Sequence, residues 1–148
     1  MNTHKRKKGF YRQLEDHCDK VAHAMFGCDG NELLVHLYLK SKGIRHEMQK
    51  RVEMPVVARK SSYIIVDFVL PDYHGHVVWI EYNGSQHEVY NRRYHRSYED
   101  FLRQQNRDRV EQDYCDANGI TLINLRHSHN FLKTLRFLQS QLDKITSN

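Results

Sequence analysis

Apolar positions along the chain recur with two different periods, and the switches between them outline an α/β protein. Within residues 10–26, Leu14, Val21, Ala22 and Met25 fall on one side of a helix that Cys28-Asp29-Gly30 ends. In a second helix Asp29 or Asn31 supplies the cap and Glu32 sits in the first turn. Leu33, Leu34, Leu37 and Tyr38 recur there at helical spacing until Gly43 stops it. Met48, Val52 and Met54 then alternate with polar residues, as in a half-buried strand. Residues 63–70 (YIIVDFVL) and 77–82 (VVWIEY) are short, apolar and β-branched, which fits strands buried on both faces. Pro71-Asp72-Tyr73-His74-Gly75 between them is turn chemistry, so the two runs read as a β-hairpin. Residues 83–97 are polar and carry no apolar period. Ser97 caps a helix running to about Ala117, closed by Asn118-Gly119, and residues 120–125 (ITLINL) form another buried strand. Phe131, Leu135, Leu138, Leu142 and Ile145 mark one side of a last helix. The predicted order is α-α-β-β-β-α-β-α, a mixed four-stranded sheet flanked by helices.

Two carboxylates interrupt the most apolar runs of this pattern. Asp67 and Glu81 occupy strands where an acid is costly unless it is paired, hydrogen-bonded or bound to a metal. If the hairpin pivots on His74, the numbers of opposed residues sum to 148, which sets Asp67 against Glu81. Opposed side chains project from one face with Cβ atoms about 4.5–5.5 Å apart, and Asn83 shares the face of Glu81. Two carboxylates that close repel, and a divalent cation relieves the conflict. Oxygen ligands with open positions suit Mg²⁺ or Mn²⁺. Such an ion polarises a phosphoryl oxygen and lowers the pKa of an attacking water. A pairing of Asp67 with an arginine, or a solvent-facing Glu81 at a strand end, is the ordinary alternative, and a one-residue slip would separate the pair.

Composition narrows the setting. The chain has 148 residues and 39% hydrophobic content, enough for one domain, and its formal charge of +5 favours an anionic partner, nucleic acid first. Its three cysteines, Cys18, Cys28 and Cys115, are too few and too scattered for a disulfide framework, which points to a reducing, cytoplasmic setting. No apolar run approaches the ~20 residues of a membrane span. Basic residues near the start are followed by no hydrophobic stretch, so a secretory signal is not expected. His17, Cys18, His23 and Cys28 lie close together but lack the paired spacing of a structural zinc site.

The residues around the carboxylates resemble a known family. Asp67-Phe68-Val69-Leu70-Pro71 followed by Trp79-Ile80-Glu81-Tyr82-Asn83-Gly84-Ser85-Gln86-His87 is similar to the PD-(D/E)xK nuclease superfamily. Its branch of very-short-patch-repair and phage homing endonucleases carries DF-x-LP and then IE-Y-D/N-G-x-Q-H. Arg107-Asp108-Arg109, Tyr114-Cys115 and Asn118-Gly119-Ile120 match a later helix and strand of that branch, so the likeness covers residues 32–126. The resemblance implies a restriction-endonuclease-like core (α-β-β-β-α-β) over residues 29–148, preceded by a basic arm and helix in residues 1–28. It implies Asp67 and Glu81 as metal ligands and Glu32 as the acidic residue of the first core helix, a position that a favourable charge in a first turn explains equally well. Asn83 stands where the superfamily has its lysine, and an amide cannot serve as a cationic activator of water. Gln86 and His87 are the candidates for that vacancy, His87 as general base or acid. Asp108, where the branch also has an acid, could complete the site or be one more solvated charge, and the lysine expected after it is missing too.

A binding surface follows the motif. Arg92, Arg93, Arg96, Arg103, Arg107 and Arg109 alternate with Tyr90, Tyr94 and Tyr98. Arginine grips phosphate with two parallel hydrogen bonds, and tyrosine adds stacking or a hydroxyl; the bland reading is a solvated loop and helix face. Lys5, Arg6, Lys7 and Lys8 are either phosphate contacts or a solubilising tail. The expected protein is a Mg²⁺-dependent DNA endonuclease, monomer or homodimer, making nicks or site-specific cuts in a phage or mobile-element context. The alternatives are a nuclease for branched DNA and a DNA-binding module without catalysis.

Overall fold

His74 and Gly75 both take left-handed backbone angles, φ +51° and +84°, and close the central hairpin as a two-residue turn. Such turns match the twist of antiparallel strands and favour glycine. The computed structural model describes residues 30–57, 60–83, 95–126 and 130–147, together with residues 13, 16, 17, 20 and 21, which are helical. The rest of the predicted first helix, the basic cluster Lys5 to Lys8, and residues 84–94 lie outside the described residues.

The chain divides into two compact units, Met1–Gly43 and Ile44–Asn148. Helix α1 (Gly30–Ser41) falls in the first unit. Gly43, at φ +69°, ends α1 by donating its N–H to the Lys40 carbonyl at 3.0 Å. The face of α1 also differs from expectation. Val35 and Leu39 are fully buried, one turn apart, whereas Leu34 and Leu37 are 44% and 50% exposed.

The second unit holds β1 (Glu47–Val57), β2 (Lys60–Tyr73), β3 (His76–Asn83), α2 (Tyr98–Ala117), β4 (Thr121–Arg126) and α3 (Phe131–Thr146). Its four strands form one mixed sheet in the order β1-β2-β3-β4, antiparallel except for β4, which runs parallel to β3. The α/β architecture read from the sequence is the observed one. Phe68, Leu70, Val78, Ile80 and Leu125 from the strands and Leu138 and Leu142 from α3 are fully buried, each large side chain contributing about 1.5–3 kcal/mol. A second cluster joins Met54, Val66, Val69, Trp79 and Cys115, with the Trp79 ring stacked on Tyr114 at 5.7 Å. Ser97 caps α2 by accepting the Asp100 N–H at 3.2 Å, and Asn130 caps α3 through Leu132.

The hairpin departs from its predicted form at one point. Pro71, Asp72 and Tyr73, read as turn, continue β2, and the turn shrinks to His74-Gly75. At the turn Tyr73 pairs with His76, but in the core Phe68 pairs with Ile80 and Val69 with Trp79. The register therefore slips by one residue between Leu70 and Tyr73. Pro71 has no N–H to give to a ladder, which makes it a natural site for such a bulge. Asp72 secures the corner by accepting the Gly75 N–H at 2.9 Å.

Candidate active site

That slip positions the acids. Carried inward without it, the turn-centred register would set Asp67 against Tyr82 and turn Glu81 to the opposite face. With it, Asp67 falls opposite Glu81, next to the Phe68–Ile80 pair, and the two carboxyls come close enough to act on one another. Asp67, half-buried, is held on both oxygens: Oδ2 accepts the Tyr82 N–H at 2.8 Å and Oδ1 accepts the Gln49 side-chain amide at 3.2 Å. Gln49 itself is left-handed, at φ +50°, between the pairs Met48 with Phe68 and Lys50 with Val66. A residue with a side chain rarely adopts that conformation, and functional sites are where such strain concentrates.

A third acid comes from α2. Glu111 is half-buried and lies close enough to Glu81 to act on it from the helix side. Glu81 thus stands between two carboxylates, one on the neighbouring strand and one on the helix. Burial in the first place, then the charges of Asp67 and Glu111, hold its carboxyl far above the usual carboxylate range. The group keeps its proton at neutral pH unless a positive charge replaces it. The adjacent thiol feels the same field: burial, then Glu111, Asp116 and Glu81, push Cys115 up to about 12. That thiol is buried and not a nucleophile.

Asp108, the helix acid singled out from the sequence, lies one turn before Glu111 and is half-buried; Glu111 is the one in contact with Glu81. Glu32 is in the first turn of α1, in the other unit. Asn83 ends β3 in register with Arg126. Gln86, His87, Tyr90, Arg92, Arg93 and Tyr94 lie outside the described residues. Arg96, Arg103, Arg107 and Arg109 are exposed, with Arg103 paired to Asp100 at 2.9 Å and Arg109 bonded to Asn106. Tyr98, 57% exposed, opens α2. His95, which drew no attention in the sequence, is buried against Phe101 and bonded to Gln104 at 2.9 Å, a packing role.

Two residues of the site escaped sequence reasoning, Gln49 and Glu111. The signal for Glu111 was present in the helix period. Counting back from Cys115 in steps of four and three reaches Glu111, Asp108, Gln104 and Phe101, the stripe that is buried or half-buried. Acids on such a stripe point at the sheet.

Among the described residues, no group of three or more His, Cys, Asp or Glu side chains is spaced to hold a metal ion. Among the described residues no helix is long and apolar enough to cross a membrane.

The second unit is thus an α/β domain that gathers acidic side chains from two strands and a helix. No family model matches the chain. It is 33% identical over 66 residues to "Uncharacterized protein 033L" of Invertebrate iridescent virus 3, an alignment covering 45% of this chain and 34% of that protein. It is 35% identical over 69 residues to "Uncharacterized protein 307L" of Invertebrate iridescent virus 6, covering 41% and 35%. The chain spans about a third of the length of these curated relatives. No solved structure matches it.

Proposed function

We propose that the chain is a metal-dependent endodeoxyribonuclease of the PD-(D/E)xK type, hydrolysing phosphodiester bonds with Mg²⁺, or Mn²⁺ in its place. The observation that carries this reading is the meeting of Asp67 and Glu81 across the hairpin with Glu111 from α2. Their donor set fits a hard cation: all the donors are carboxylate oxygens, and the crowding that keeps Glu81 protonated is relieved by a double positive charge. Asp67 and Glu81 would hold the ion, which would polarise the phosphoryl group and make bound water a nucleophile near neutral pH.

The chain's own groups do the rest. The Tyr82 N–H and the Gln49 amide hold the Asp67 carboxylate in one orientation ahead of any ligand, a preorganised charge of the kind that lowers a barrier. Glu111 adds negative charge beside Glu81. Asn83, Gln86 and His87 follow directly in sequence, with His87 the group able to exchange a proton at neutral pH. The arginines and tyrosines from Tyr90 to Arg109, with the Lys5–Lys8 arm, supply phosphate contacts. A phage or mobile-element setting belongs to the same reading, and the work would be done in the cytoplasm. A monomer nicks; a homodimer cuts both strands.

Supercoiled plasmid incubated with the purified protein and Mg²⁺ tests this. Open circles are expected, and Asp67→Ala or Glu81→Ala should reduce them by about a hundred- to a thousandfold, the scale set by losing a catalytic electrostatic partner. Salt-sensitive DNA binding with no cleavage in Mg²⁺ or Mn²⁺ would instead identify a binding module.

A further inference from the structure

A cleft of about 540 Å³ lies between β4, the edge strand of the sheet, and α3. That volume falls within the range of ligand sites. Its walls carry two cations, Arg126 and Lys133, and, among the described residues, no carboxylate. They also carry two amides, Asn124 and Gln141, and the Phe137 ring, which is 45% exposed. Lys133, Phe137 and Gln141 form one stripe of α3, bordered by Thr134, which is buried in line with Leu138 and Leu142.

Thr134 marks this as more than a surface hollow. Its side chain is only 4% exposed, and its hydroxyl is buried with no hydrogen-bond partner among the described residues. A buried hydroxyl left so is costly and is ordinarily satisfied by a ligand or water. The cleft also adjoins the acids. Asn124 is the register partner of Glu81, one strand away, and Arg126 is the partner of Asn83. Both are exposed and share the face of Glu81.

We infer that this cleft receives an unpaired nucleotide of the strand held at the acidic site. Arg126 and Lys133 take its phosphate, Phe137 stacks on the base, and Thr134 with the two amides meets the base edge. Cations with an exposed ring are the combination that holds single strands, since every base has a face to stack. A hydroxyl and amides match the donors and acceptors of a base edge. The inference rests on the nuclease reading for the identity of the strand, but its test does not require cleavage.

The test is binding of a short fluorescein-labelled DNA single strand, and of its blunt duplex, to the full chain in EDTA. Phe137→Ala should weaken single-strand binding about tenfold, within the range for loss of one stacked base, and leave duplex binding unchanged. Lys133→Ala should flatten the salt dependence by about 0.7 in the log–log slope. Thr134→Val, which keeps the shape and removes the orphaned hydroxyl, should leave the melting temperature no lower and still weaken the single strand. Single-strand affinity unchanged in Phe137→Ala and Thr134→Val would overturn the assignment, whether or not plasmid is cut. So would a deoxynucleoside monophosphate whose binding depends on Phe137 while the strand's does not. Failure of the nuclease reading shows separately, as intact plasmid with Mg²⁺.

Discussion

Glu81→Gln is expected to abolish cleavage and to make the metal-free protein more stable. The two effects have one cause. In the folded chain, burial and then the Asp67 and Glu111 carboxylates raise the Glu81 pKa well above its ordinary 4.5. Unfolding releases that carboxyl to water, where it ionises at the ordinary value. The stability Glu81 contributes is therefore fully present below that value and is lost as the pH rises toward the folded one. Each pH unit in that window costs up to about 1.4 kcal/mol. Glutamine keeps the size and the hydrogen-bonding capacity and has no proton to lose. Denaturant unfolding in EDTA from about pH 5 to about pH 8 should show wild type weakening and the variant holding level, the gap growing by up to about 4 kcal/mol over those three units. A variant less stable than wild type throughout would mean that the ionised carboxylate is well accommodated without any cation.

The second large effect is the converse, stabilisation by the cation. An ion that binds the folded chain and not the unfolded one adds about 2.7 kcal/mol when present at a hundred times its dissociation constant. For a chain of this size that corresponds to a rise in melting temperature of roughly 5–10 °C. Mg²⁺ or Mn²⁺ should produce the rise in wild type near neutral pH. Asp67→Asn should remove most of it, because the amide cannot supply the charge that Tyr82 and Gln49 now hold in place. Thermal melts with and without EDTA read both. An equal rise in wild type and Asp67→Asn would place the ion elsewhere.

Element types were legible in the sequence because apolar period and end signals agreed. Ser97 and Asn118-Gly119 bound α2 where their chemistry says they should, and the two β-branched runs are the two central strands. The opposition of Asp67 to Glu81 was legible for a subtler reason. A pivot on His74 is not the geometry of the turn, which is centred between His74 and Gly75. The bulge after Leu70 restores the assumed register, and nothing in the apolar pattern reports a bulge except Pro71. The turn was misread in detail and the core pairing was obtained.

What stayed hidden is equally physical. α2 is so polar overall that its inward stripe rests on few apolar residues, and Glu111 looked like one charge among many. Gln49 is reached only through the backbone twist that aims it at Asp67, which residue type does not encode. In α1 the four apolar residues expected to be covered outnumber the Val35–Leu39 pair that is fully buried, so periodicity selected a helix but not its buried side.

Diffraction from Mn²⁺-soaked crystals at the manganese edge addresses the shared cation most directly. One anomalous peak is expected within ligand distance, about 2.1–2.3 Å, of both Asp67 and Glu81. A saturated soak with no peak there, or a peak touching neither carboxylate, would contradict it.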